Sequence, residues 1–324
     1  MKILITGVAG FIGYNLADFF LKKKIKILGI DNFDDYYSIN YKKKRVELLK
    51  KYKNFSFKKI DISDKKSLEK YILKERSFDV VYHFAAQPGV RYSLKNPQKY
   101  YNSNIVGYNN LLNSLRKIKV TKIIYASSSS VYGDQKKLPV KETTKSNPKN
   151  FYGYSKLINE VTSDFFSKFY KMNILGMRFF SVYGEWGRPD MLVIKYLNSQ
   201  FNKKFFHLNN KGNHLRDFTH ISDVVKILEK LMSIKTKKKH EVFNICSSNP
   251  YSVKKFILES KKIIPNIKVK NKSKDSADVQ NTHGSNSKII KITGYKDFKD
   301  IEREIPLIIK WFKKNNISSF LRVK

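Results

Sequence analysis

Tyr152 and Lys156 stand four residues apart in Tyr152-Gly153-Tyr154-Ser155-Lys156. That spacing puts both side chains on one face of a helix, one turn apart. A free phenol has a pKa of about 10 and is a poor base near neutrality. A neighbouring ammonium group favours the phenolate and lowers that value, so the pair could take a proton from a hydroxyl group. Tyr-x-x-x-Lys arises easily by chance in a chain with 20 tyrosines, so its meaning depends on what precedes it. Upstream, residues 122–126 read as a strand that runs into Ser127-Ser128-Ser129-Ser130. Four hydroxyls then sit at the carboxyl end of a parallel strand, the edge at which α/β sheets bind ligands.

The elements that must position these groups begin at the N-terminus. Ile3, Leu4 and Ile5 read as a buried strand. The run ends in Gly7-x-x-Gly10-x-x-Gly13, and residues 14–24 carry Leu16, Phe19 and Phe20 at helical spacing. Strand, glycine turn and helix in that order separate a dinucleotide site from a chance glycine pattern. Gly7 permits the tight turn, Gly10 lets a pyrophosphate approach, and Gly13 packs the helix on the strand; the N-terminus of that helix attracts phosphate. A second strand over residues 25–30 ends at Asp31, eighteen residues past Gly13. A carboxylate there accepts from an adenosine ribose and repels a 2′-phosphate, which favours NAD over NADP. The basic residues 42–45 could offset part of that repulsion. A third strand, 55–60, ends at Asp61-Ile62. Asp61 suits either an adenine contact or the start of the helix over 65–74. The small pair Ala85-Ala86, after a fourth strand at 79–84, suits close packing against a cofactor. Phe11, Ile12 and Asn32 complete the expected cofactor set.

Further along, residues 100–117 and 152–171 are expected as helices and 174–180 as a sixth strand. Residues 181–190 read as a glycine-rich loop, 191–202 as a helix, and the segment beyond 251 as two helical runs around a basic loop at 268–287. The expected fold is α/β, a Rossmann-type doubly wound parallel sheet with a smaller α/β C-terminal substrate lobe. Residues 1–180, with about 218–248 returning, are assigned to the nucleotide domain, and about 181–217 and 249–324 to the lobe.

Composition narrows the class. No run of eighteen apolar residues is present, which argues against a membrane span, and the N-terminus has no cleavage-site pattern. One cysteine, Cys246, fits a reducing compartment, so the cytoplasm is expected. The formal charge is +38, yet only nine of the 65 basic residues are arginine and the lysines are scattered. Nucleic-acid surfaces cluster their charge and favour arginine forks, so nucleic acid is an unlikely main partner. The histidines lack metal-ligand spacing, and no metal is expected.

These motifs, with AAQPGVRYSL, ASSSSVYG, RFFSVYGEWGRPDM and LRDFTHISDVV, resemble the extended short-chain dehydrogenase/reductase family. Within it they resemble the nucleotide-sugar epimerases, those of UDP-glucuronate above all. The resemblance implies that Tyr152 is the catalytic base, that Lys156 lowers its pKa and holds the nicotinamide ribose, and that Ser128 bridges the sugar O4. Ser127 and Ser129 would support them, and Asn104 would join the cofactor pocket. It also implies that Arg216 faces the UDP phosphates, that Asp278 belongs to the nucleotide-binding stretch, that Arg91 binds substrate, that Ser181 and Arg188 face a C5 carboxylate, and that the chain forms a homodimer. Ser181, Glu185, Pro88 and Gly153 depart from the usual pattern. Related dehydratases need an acid and a base just before Val-Tyr-Gly, where this chain has Ser129 and Ser130. Epimerisation of UDP-glucose or UDP-N-acetylglucosamine stays open, and so does the bland reading in which Arg188 pairs with Glu185 or Asp190 and only braces its loop.

Overall fold

A computed structural model describes residues 1–265, 268–273 and 279–321. The strands are Lys2–Thr6 (β1), Lys26–Asp31 (β2), Phe55–Lys59 (β3), Ser77–His83 (β4), Lys119–Ser128 (β5), Ile174–Phe179 (β6), Ser181–Tyr183 (β7), Phe206–Asn209 (β8), Leu215–His220 (β9), His240–Ile245 (β10), Pro250–Ser252 (β11) and Val269–Lys272 (β12). Seven of them form one parallel sheet in the order β10-β6-β5-β4-β1-β2-β3. Chain order reverses between β1 and β4, which opens a crevice at their carboxyl ends, the switch point of a Rossmann fold.

Side chains alternate across this sheet, as the pleat requires. Ile3 and Ile5 pack with Leu16 and Phe20 of the helix Phe11–Lys22 and with Val224 and Leu228 of the helix Ile221–Lys230. Leu4 and Leu28 face the other way, onto Leu68, Ile72, Leu111 and Leu115. A separate core, built from Tyr196, Phe206, Phe256, Ile305 and Phe312, holds the smaller lobe together. That lobe carries a three-stranded sheet (β11-β9-β7) and the parallel pair β12-β8. Ile289 and Tyr295 pack in the core of the large sheet, although their segment falls in the stretch expected for the lobe. No helix among the described residues is long and apolar enough to cross a membrane.

Several expectations need correction. The first helix starts at Phe11 rather than residue 14. The loop expected at 181–190 opens with β7, and β8, β9, β11 and β12 were not expected at all. These strands have three to six residues, too few to show a period of two against their polar neighbours. The region beyond 251 holds Val253–Ile263, Ser287–Thr293, Ile301–Lys314 and Ile317–Phe320 rather than two helices. The helix expected over 100–117 is interrupted by a π-helical segment, Tyr101–Val106, before Gly107–Leu115. The Asn104 carbonyl inside that segment accepts from Asn159 Nδ2 at 2.7 Å.

Candidate active site

The crevice is a cavity of about 580 Å³. One end is built by the glycine turn. Gly7 has φ +71°, and a Cβ there would lie 2.5 Å from the Ala85 backbone nitrogen; one at Gly13 would lie 2.3 Å from the Gly7 carbonyl oxygen. Gly10 caps the helix Phe11–Lys22 without a side-chain hydrogen bond. The uncapped N–H groups of Phe11, Ile12 and Gly13 thus lie at the cavity wall, which suits a pyrophosphate. Asp31 accepts from the N–H groups of Ala9 (3.0 Å) and Phe33 (2.8 Å), and each oxygen keeps a lone pair for a ribose hydroxyl. Burial raises its pKa, and the Lys42 ammonium opposes that rise most. Asp61 takes bonds from Asn32 (2.9 Å) and from the backbone and hydroxyl of Ser63. The cap of the helix Lys65–Glu75 is Asp64, which leaves Asp61 beside Ile62 in the cavity wall. Ala85 and Ala86 line the same cavity. These groups fit a dinucleotide.

Asn104 does not line the cavity. It lies behind it, fully buried, and clamps Gln87 through both backbone groups (2.7 and 3.1 Å) while bonding the Ser155 hydroxyl (2.9 Å). It shapes the loop after β4 from beneath.

Tyr152 is in the first turn of the helix Phe151–Tyr170, which Asn150 caps through the Gly153 N–H (2.9 Å). A Cβ on Gly153 would come 2.6 Å from the Ser130 carbonyl oxygen, so glycine lets this helix press on the serine turn. Burial pushes the Tyr152 phenol up; the charge of Arg188 and the Ser128 hydroxyl pull it down. Arg188 is thus a second cation near Tyr152, beside Lys156. Lys156 points its Nζ at the Ala126 carbonyl (2.9 Å) and lies 6.0 Å from the Tyr152 ring centroid. Burial draws Lys156 down to about 7. Ser128 also accepts from the Ser130 N–H (3.1 Å), and Ser129 lines the cavity. The Ser127 hydroxyl is committed elsewhere: it donates to Glu160 (2.6 Å), which is paired in two places with Arg178.

Two features escaped the sequence reading. One is that Glu160–Arg178 pair, buried beneath the serine strand end; an arginine inside the apolar run of β6 was its only signal. The other is Arg45, grouped above with the basic run 42–45 but fully buried. It donates to the carbonyl of Ala9 (2.8 Å) in the glycine turn, to the Tyr37 phenol (2.8 Å) and to the carbonyl of Trp186 (2.5 Å) in the loop after β7. Its guanidinium lies 4.3 Å from the Tyr41 ring centroid.

A second cavity of about 470 Å³ adjoins the first, and Ser181, Arg188 and Arg216 line both. Arg216 donates to the carbonyls of Val279 (2.9 Å) and Gln280 (2.8 Å). Arg91 lines the second cavity, as does Asn209 of β8. Asp278 lies outside the described residues. Arg188 pairs with Asp190 through Nε (3.0 Å) and Nη2 (2.5 Å). Glu185 instead faces His220 at 3.5 Å.

A Rossmann crevice that unites a glycine turn with a serine strand end and a Tyr-x-x-x-Lys helix defines an enzyme of the extended short-chain dehydrogenase/reductase class. Residues 4–308 match the model of the GDP-mannose 4,6 dehydratase family, and the chain belongs to that family. An uncharacterised protein of Methanocaldococcus jannaschii is 40% identical over 97% of both chains. The UDP-glucuronate 4-epimerase of Thermodesulfobacterium geofontis is 35% identical over 96% of both. The crystal structure of UDP-glucuronic acid 4-epimerase from Bacillus cereus, in complex with UDP-glucuronic acid and NAD, superposes with a TM-score of 0.90. It is 30% identical, with 97% of this chain and 100% of that one covered.

Proposed function

We propose that this chain is an NAD-dependent 4-epimerase of UDP-sugars, acting on UDP-glucuronate to give UDP-galacturonate. The observation that carries the reading is one cavity holding the dinucleotide turn, the Tyr152–Ser128 pair and Arg188. The likeness to UDP-glucuronate 4-epimerases over nearly the whole chain supports it.

NAD, when bound, takes a hydride from C4 and returns it to the 4-keto sugar. Tyr152 removes the O4 proton and later restores it, with Ser128 holding the oxygen. The helix terminus at Tyr152 and the Arg188 charge favour the phenolate. Lys156 serves the ribose side of the cofactor. Arg91 and Arg216 hold the diphosphate side, with Asp278 as a further contact, and Ser181 with Arg188 receives the sugar carboxylate. Ser129 and Ser130 provide no carboxylic acid, so water is not eliminated. Incubation with UDP-glucuronate, UDP-glucose and UDP-N-acetylglucosamine separately tests the reading. UDP-galacturonate should form without net reduction of NAD; no interconversion of any of the three would overturn it.

The oligomer that fits is a homodimer through the helices around residues 101–115 and 151–170. Leu157 and Phe166 of the second helix pack inward, but Val161 is 66% and Phe169 69% exposed, with exposed Phe165 packed on Phe169, and Tyr101 of the first segment is exposed too. Large apolar side chains grouped on one helix face mark an interaction surface. Light scattering should give twice the chain mass, and the double variant Val161→Asp/Phe169→Asp should give the chain mass with its fold intact. A wild-type monomer at micromolar concentration would rule the dimer out.

A further inference from the structure

Asp190 accepts from Arg188 through both oxygens, at 3.0 Å from Nε and 2.5 Å from Nη2. The same Oδ2 accepts the Tyr36 phenol at 3.1 Å. Tyr36 is itself fixed: its ring lies 5.0 Å from that of Tyr92, and its hydroxyl fills the space where Gly89 lacks a side chain. Three segments, after β2, β4 and β7, thus converge on one guanidinium. A guanidinium offers two edges to carboxylates, Nε with Nη2 and Nη1 with Nη2. Asp190 occupies the first. Arg188 still lines both cavities, and its side chain is 22% exposed there.

We propose that Asp190, backed by Tyr36, is a positioning residue that holds the Nε edge of Arg188 so that its Nη1 edge meets the substrate carboxylate. This rests on the assignment of a UDP-uronate substrate above. An arginine on a loop has several rotatable bonds, and one edge held in advance leaves less freedom to lose when the other binds. The arrangement also alters how the site selects. A neutral sugar does not strand Arg188, because Asp190 already pairs it. Selection for a uronate then comes from the added attraction at the free edge and not from a penalty on neutral sugars.

Binding to the NAD-loaded protein tests this without relying on turnover. Asp190→Asn keeps the shape but drops the charge that fixes Arg188. It should weaken UDP-glucuronate about tenfold, the scale of one charged hydrogen bond, and change UDP-glucose less than twofold. Tyr36→Phe should act in the same direction with a smaller effect. In an Arg188→Met background, Asp190→Asn should no longer weaken UDP-glucuronate, since its effect passes through Arg188. Equal weakening of both ligands would make Asp190 a loop brace, and tighter UDP-glucuronate binding would make it a competitor for Arg188; either overturns the proposal. If the wild-type protein binds neither UDP-sugar, it is the function assigned above that fails.

Discussion

Tyr152→Phe is expected to lower turnover of UDP-glucuronate by about 10² to 10⁴, the usual contribution of a general acid–base group. The loss follows from atoms rather than shape. Phenylalanine keeps the ring that packs 6.2 Å from Tyr100, but it removes the phenol oxygen that bonds the Ser128 hydroxyl. Folding and NAD content should stay normal, because the glycine turn, Asp31 and Lys156 are untouched. The measurement is single-turnover conversion together with NAD released on denaturation. Turnover within a few-fold of wild type would show that the O4 proton leaves by another route. Ser128→Ala should act more mildly, since it removes a hydrogen bond to the phenol and not the base.

Arg188→Met carries the second large effect. On UDP-glucuronate, kcat/KM should fall by about 10²-fold or more, as when one partner of a close charge pair is truncated. Two causes add. The carboxylate loses its cation, and Asp190, no longer paired, faces the same carboxylate with like charge. On UDP-glucose the change should be much smaller, because neither cause applies to a neutral sugar. A further loss on both substrates enters through Tyr152, whose phenol Arg188 helps to hold down; it should move the acid limb of the activity profile to higher pH. A 4-keto uronic acid is also a β-keto acid, so a loosely held carboxylate can leave as CO₂ and a decarboxylated side product should rise. Equal losses on charged and neutral substrates would reduce Arg188 to a loop brace.

How much of this the residues disclosed depends on sequence distance. The glycine turn, Asp31, the serine run and Tyr152–Lys156 are local patterns whose spacing already implies a shared face or turn, and the cavity gathers them. The sequence places Arg45 only within the basic residues 42–45 near Asp31, because its partners, Ala9 and Trp186, lie 36 and 141 residues away. Nothing in the run itself marks Lys42 and Arg45 as the cations that turn inward. Asn104 is expected in the cofactor pocket but lies behind the cavity wall, in a π-helical segment that apolar spacing cannot tell from an α-helix. The Arg188–Asp190 pair was foreseen only as the bland alternative. Its geometry, with one edge taken and Tyr36 behind, required three loops to meet.

Arg45 also ties two binding events together. One buried cation closes both the turn that receives the cofactor phosphates and the loop that carries Arg188. Whatever orders the first through Arg45 lowers the cost of ordering the second, and linkage makes the favour mutual. NAD should therefore bind more tightly in the presence of UDP-glucuronate by the same factor that UDP-glucuronate gains from NAD. Titration of each ligand with and without the other measures that factor, and Arg45→Met should bring it toward one. In an enzyme whose cofactor is regenerated in every cycle, such reciprocity holds the dinucleotide in place for as long as the sugar is bound.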